Sequence, residues 1–130
     1  MNQNTVWIIL AVIILGWILV QTIRKNKFKI SPQEGKELLD STKGVILLDV
    51  RTPEEYQEIR IPKSKLIPLA VLKTEAPQKI KNKDAQILVY CRSGNRSAAA
   101  ARILFKLGYT NVKNMGGIIH WPFETVSGKK

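Results

Sequence analysis

A single cysteine sits where chemistry is easiest to build. Residues 91–97 read Cys91-Arg92-Ser93-Gly94-Asn95-Arg96-Ser97, between the apolar run 86–90 and an alanine-rich segment. A thiol is a nucleophile and a sulfur carrier only as its thiolate, so the surroundings of Cys91 decide whether it can react. A turn from strand to helix gathers backbone N–H groups above the helix N-terminus, where they cradle an anion. Arg92 and Arg96 place two permanent positive charges beside that cradle. Gly94 allows backbone conformations that a side chain forbids. Ser93, Asn95 and Ser97 are short polar residues suited to holding a tight loop or capping a helix. A lone Cys after an apolar strand is on residue type alone a small buried hydrophobe. Two arginines, a glycine and two serines directly after it are wasteful in a core turn and suit an anion site.

The elements that must hold this loop follow from patterning. Residues 45–50 (Val-Ile-Leu-Leu-Asp-Val) and 86–90 (Gln-Ile-Leu-Val-Tyr) are nearly unbroken apolar runs of strand length, the pattern of buried parallel strands. Ser31-Pro32-Gln33-Glu34 and Thr52-Pro53-Glu54-Glu55 each carry a helix start, with a hydroxyl cap, proline at the first position and glutamate three residues on. Residues 97–107 form a helix, opening near Arg96, with Ala100, Ile103, Leu104 and Leu107 on one apolar face and Gly108 at the left-handed cap. Residues 28–30, 66–67 and 112–115 are expected as short strands, with Gly116-Gly117 turning the chain onward. Pro62, Pro68 and Pro77 are expected to break any long element between residues 59 and 85. Helices alternating with buried strands make this an α/β domain with a mostly parallel sheet flanked by helices.

That domain follows a different kind of segment. Residues 1–23 carry no ionisable side chain, and residues 6–20 are apolar apart from Gly16. The apolar stretch of residues 5–23 is ~28 Å long as a helix, close to the hydrocarbon thickness of a bilayer. It lacks the basic start and small-residue exit of a cleaved secretory signal. It therefore reads as one transmembrane helix: residues 1–25 an anchor, residues 26–130 the domain. Arg24, Lys25, Lys27 and Lys29 crowd one flank and none lies on the other. The positive-inside rule then gives a single-pass protein of the cell membrane with its catalytic domain in the cytoplasm. The formal charge of +11 is spread without aromatic interleaving, which suits an anionic membrane surface rather than nucleic acid. One Cys and one His give no metal site, and no cofactor is expected.

Three segments together resemble the single-domain rhodaneses, a sulfurtransferase family. The loop Cys91-Arg92-Ser93-Gly94-Asn95-Arg96-Ser97 is similar to that family's active-site loop. Residues 48–56, Leu-Asp-Val-Arg-Thr-Pro-Glu-Glu-Tyr, resemble its first signature, and residues 116–121, Gly-Gly-Ile-Ile-His-Trp, its ending. The resemblance implies that Cys91 takes a sulfane sulfur from a small donor such as thiosulfate or a persulfide and passes it to an external thiol or cyanide. It also implies that Arg92 and Arg96 line the anion pocket, and that Asp49 and Arg51 support the loop by pairing. One segment departs: the family commonly has Gly-His-Ile-Pro-Gly-Ala where this chain has Ile59-Arg60-Ile61-Pro62-Lys63-Ser64. Turn geometry and pocket charge are open to change there. His120 is expected at the surface or in packing, and Trp121 in the core.

Two other functions compete. Phosphatases and arsenate reductases of the related type hold five residues between nucleophilic Cys and Arg, whereas four separate Cys91 from Arg96. A non-catalytic or persulfide-carrier module binding a membrane-proximal partner is the rival from another class, and retention of the cysteine favours the enzyme. With no second cysteine the chain cannot resolve a persulfide as its own disulfide, so an outside nucleophile must finish the cycle.

Overall fold

The structure, a computed structural model, describes residues 2–128, and of residues 24–27 only the backbone. Helix α1 (Gln3–Lys27) runs two residues beyond the expected anchor boundary. Its stretch Gln3–Ile23 has a mean hydropathy of 2.6 and none of it is buried in the protein. This is a helix long and apolar enough to cross a membrane. The side chains of Arg24, Lys25 and Lys27, on which the expected orientation rests, lie outside the described residues.

Among the described residues, eight further α-helices and β-strands follow: α2 (Pro32–Ser41), β1 (Ile46–Asp49), α3 (Pro53–Glu58), β2 (Lys65–Leu66), α4 (Leu72–Lys79), β3 (Gln86–Cys91), α5 (Asn95–Lys106) and β4 (Asn111–Gly117). The strands form one sheet in the order β2-β1-β3-β4, every neighbouring pair parallel. Strand alternation sorts the apolar residues onto two faces. Leu48, Val50, Ile87, Val89 and Cys91 pack with α4 and α5, while Leu47, Leu88 and Tyr90 pack with Ile30 and the Leu38–Leu39 face of α2. Gly35 lets α2 lie close to β4, since a Cβ there would meet Met115 Sδ at 2.5 Å.

Both capping signatures are realised. Ser31 Oγ accepts from Glu34 N at 3.0 Å, and Thr52 and Glu55 form a reciprocal capping box. Other expectations change. Residues 28–30 make only an isolated parallel bridge, Lys29 to Asn114, instead of a strand. No element between residues 59 and 85 is longer than the eight residues of α4, as expected, and Pro77 lies inside that short helix, where Leu72 and Ala76 are fully buried. The Tyr109 hydroxyl donates to the carbonyls of Ala76 and Ile80, which ties down the end of that helix. Gly116 and Gly117 are the last residues of β4 rather than a turn, reached through an irregularity in register opposite Val89 and Tyr90.

The departing segment keeps a tight turn. Lys63 takes φ +69°, a left-handed conformation that costs a side chain about 1–2 kcal/mol. Arg60 points toward the chain's end: its Nη1 donates to Gly128 O at 2.7 Å and Tyr56 O at 3.2 Å, and its guanidinium lies 4.7 Å from the Tyr56 ring centroid. Its backbone pairs antiparallel with Val126. The Tyr90 hydroxyl accepts from Ile61 N and donates to Ser64 Oγ, joining the segment to the central strand.

Two buried contacts lie at the carboxyl edge of the sheet. Asp49 and Arg51 are both essentially inaccessible and pair at 2.7 Å. Asp49 Oδ1 also accepts from Arg51 N, and Arg51 Nη2 donates to Ile59 O at 2.6 Å. The second contact is backbone on backbone. Gly117 lies against the loop after β3, so a Cβ there would collide with Arg92 O and come within 2.6 Å of Ser93 Cα.

Both contacts yield tests by chemical denaturation. Arg51→Ala leaves the Asp49 carboxylate buried without its partner and is expected to cost about 3–5 kcal/mol of stability. Gly117→Ala is expected to cost about 1–3 kcal/mol, because the loop backbone must move to admit the methyl group. Wild-type stability in either variant would contradict the contact it removes.

Candidate active site

Cys91 is the last residue of β3, and the loop leading into α5 folds back over its sulfur. Gly94 makes this possible: it takes φ +109° as the residue that opens α5, a conformation suited to glycine. Its N–H donates to Cys91 Sγ at 3.0 Å. Helix α5 therefore begins at Asn95, one or two residues earlier than the sequence suggests, with Gly94 rather than a hydroxyl at its cap. Ser97, fully buried in the first turn, brings Oγ to 3.4 Å from Sγ while donating to Gly94 O at 3.0 Å. Asn95 and Ser93 have exposed side chains.

These contacts set the acidity of the thiol. Burial alone pushes it up, because a charged sulfur loses its hydration. The Ser97 hydroxyl and the backbone N–H groups of Ser97, Gly94 and Ser93 outweigh that cost and bring Cys91 below the ordinary thiol range. The sulfur is an acceptor at the N-terminus of a 12-residue helix, where the peptide dipoles also favour negative charge.

The two arginines of the loop are not equivalent. Arg96 makes a bidentate pair with Glu55, Nη1 to Oε1 at 2.7 Å and Nη2 to Oε2 at 2.9 Å. That pairing, which outweighs partial burial, lowers Glu55 to about 2 and keeps the carboxylate ionised. Glu55 thus closes the capping box of α3 and joins it to α5. The sequence pattern marks Glu55 as a cap, but nothing in it identifies Arg96, 41 residues away, as its partner. Arg92 is exposed and, among the described residues, its side chain makes no hydrogen bond or ion pair.

A cavity of about 450 Å³ adjoins the loop, lined in part by Arg92, Glu55 and Arg51. Its remaining wall includes Ile59, Ile119 and Trp121. Cys91 itself lies behind the loop and is not part of the lining. Arg51 is committed to Asp49 and Ile59, so Asp49 and Arg51 brace the start of the departing segment rather than touching the 91–97 loop side chains. Neither Arg60 nor Lys63 lines the cavity, so the departure adds no charge there. His120 is exposed. Trp121, expected in the core, is half-buried: it packs against the Leu47, Leu88 and Tyr90 side of the core and also forms part of the cavity wall, with its Nε1–H donating to Glu124 O and Phe123 packed edge-on.

Comparison with known proteins agrees with this arrangement. The family model Rhodanese-like domain matches residues 31–122. The thiosulfate sulfurtransferase PspE of Escherichia coli is 38% identical over 81 residues, covering 62% of this chain and 78% of the relative. A sulfurtransferase of Allochromatium vinosum is 35% identical over 94 residues, covering 72% of this chain and 86% of the relative. Among solved structures, a rhodanese with anions from E. coli superposes with a TM-score of 0.61 at 34% identity, covering 65% of this chain and 99% of that one. With its parallel sheet, its cysteine at the end of the central strand and these relatives, the chain belongs to the rhodanese-like domain family.

Proposed function

We propose that this protein is a sulfurtransferase in which Cys91 carries the sulfur. The observation that supports it most is the position of Sγ, which receives the Gly94 N–H beside the Ser97 hydroxyl at the start of α5. The Cys91 thiolate attacks the outer sulfur of thiosulfate or of a persulfide. The donor's S–S bond breaks, sulfite or a thiolate leaves, and Cys91 holds a persulfide. The N–H groups of residues 93, 94 and 97 then have a terminal sulfur to stabilise, and Arg92 attracts and orients the incoming anion. Cyanide or an external thiolate attacks the outer sulfur, departs as thiocyanate or a persulfide, and returns Cys91 to its thiolate. No proton need be removed by a separate base, so exposed His120 has no required part. Glu55 and Arg96 clasp the start of α5 to α3, while Asp49 and Arg51 brace residue 59 at the start of the neighbouring segment.

Residues 1–25 serve as a single-pass anchor and residues 26–130 as the transferase domain on the cytoplasmic side. The apolar stretch Gln3–Ile23 and the one-sided basic flank in the sequence support this placement. In a reducing compartment the thiol also remains free to react.

Three measurements test these roles. Cys91→Ser is expected to abolish thiosulfate:cyanide transfer and the one-sulfur mass increase after thiosulfate treatment, with the circular dichroism spectrum unchanged. Persistence of the rate would remove Cys91 from the chemistry. Ser97→Ala removes a hydroxyl that lowers the thiol pKa, so the acid limb of the rate profile should move to higher pH, with the largest loss of rate at the lowest pH measured. A limb that stays in place would show that the hydroxyl does not act on the thiolate. The full chain is expected in the membrane fraction, and deletion of residues 1–25 should release it; recovery outside the cytoplasm of a chain shortened to beyond residue 20 would show a cleaved signal and overturn the anchor.

A further inference from the structure

A second concave surface lies between the segment that leaves α1 and the outer face of α5. It encloses about 670 Å³, within the range of sites that hold organic ligands, and Phe28, Ala98, Ala101 and Phe105 line it with apolar surface. Phe28 and Phe105 pack edge-on with ring centroids 4.6 Å apart, yet Phe28 stays 36% exposed. A large aromatic left open on a concave surface marks a place for apolar matter.

The charge of this groove is of one sign. Lys29, Arg102 and Lys106 line it, and no carboxylate does. All three are exposed, and among the described residues none takes part in an ion pair. The cavity beside the Cys91 loop differs, since Glu55 and Glu58 belong to its lining. Long cationic side chains lay their stems on apolar surface and keep their charges in water. Apolar surface edged by unpaired cations fits a hydrocarbon chain joined to an anion.

Chain length fixes where the groove lies. The apolar stretch of α1 ends at Ile23 and the helix continues to Lys27. Four residues at the helical rise carry the chain at most about 6 Å past the hydrocarbon. The headgroup layer is roughly 5–7 Å deep on each face of a bilayer. Phe28 and Lys29 follow directly, and they are bonded to the domain. Asn114 N donates to Phe28 O at 2.6 Å, and Ile30 N donates to Asn114 O at 3.0 Å. The groove wall is therefore tied at headgroup level.

We infer that this groove binds an anionic phospholipid of the membrane that holds α1, with an acyl chain against Phe28 and Phe105 and the phosphate among Lys29, Arg102 and Lys106. The inference rests on the reading of residues 1–25 as an anchor. Helix α5 is also the helix whose first turn sets Ser97 beside Cys91 Sγ, so the lipid steadies the helix that carries the reactive loop.

The test places the full chain in lipid nanodiscs, of phosphatidylcholine alone or mixed with phosphatidylglycerol, and reads amide hydrogen exchange. Residues 95–106 are expected to exchange several-fold more slowly in the mixed discs, because a bound lipid must leave before α5 opens. Residues 32–41 of α2, on the other face of the sheet, should exchange alike in both. This wild-type comparison needs no variant. Arg102→Gln with Lys106→Gln should abolish the slowing, with the circular dichroism spectrum unchanged. The same loss of charge outside the groove, Lys43→Gln with Lys65→Gln, should leave it in place. Inorganic phosphate added to phosphatidylcholine discs should not reproduce it. Equal exchange of α5 in the two kinds of disc would overturn the lipid site. So would slowing that survives loss of Arg102 and Lys106, that both pairs of substitutions remove alike, or that phosphate alone produces. Failure of the full chain to enter discs of either kind would instead overturn the anchor reading, and the site with it.

Discussion

The close approach of β4 to the loop after β3 is the constraint on which the site depends. Gly117 and the backbone of Arg92 and Ser93 lie nearer than any side chain would allow. The loop is thereby pressed into a tight return, which Gly94 completes at positive φ. The return brings the Gly94 N–H onto Cys91 Sγ and Ser97 into the first turn beneath it. A thiol that is almost wholly buried would ordinarily resist ionisation. Here the Ser97 hydroxyl, together with the backbone N–H groups of Ser97, Gly94 and Ser93, reverses that tendency. The reactive centre is one hydroxyl and a set of peptide groups, brought onto the sulfur by the path of the loop.

Charges near the site are distributed according to exposure. Arg51 and Asp49, taken out of water, are paired and further hydrogen-bonded, since an unpartnered ion at that depth would be costly. Arg96 and Glu55 are partly exposed and form a bidentate clasp between α5 and α3. Among the described residues, Arg92 alone of these three arginines has no carboxylate partner. An arriving anion is therefore met by one unspent positive charge instead of two or three.

The Ile59-Arg60-Ile61-Pro62-Lys63-Ser64 segment shows how one fold can absorb a local departure. Lys63 holds a left-handed turn that glycine would adopt without strain, and the Tyr90 hydroxyl secures the residues on either side of it. Arg60 is turned away from the cavity, with its guanidinium satisfied by carbonyls and stacked on Tyr56. A charge that might have altered the pocket serves instead to fasten the chain's last described residues beside it.

Much of this was present in the sequence because it is local. The apolar runs around Leu48 and Val89, the caps at Ser31 and Thr52, and the face of α5 each depend on residues within one or two turns or a single strand. Their periodicity therefore carries the parallel α/β arrangement, and the unusual composition of residues 91–97 marks the cysteine. The apolar stretch before residue 24 is likewise a matter of length and composition. What the chain could not disclose is non-local. Pro77 lies inside α4, whose end is tied down by the Tyr109 hydroxyl at the carbonyls of Ala76 and Ile80. Trp121 reads as a core residue from its type, and it does pack against the side of the core formed by Leu47, Leu88 and Tyr90, but that it also borders the cavity is decided by the folded sheet. Arg96 reads as a free cation, and Glu55 claims it only when α3 and α5 are brought side by side. In each case the deciding partner lies far away in sequence, and folding the sheet is what brings it near.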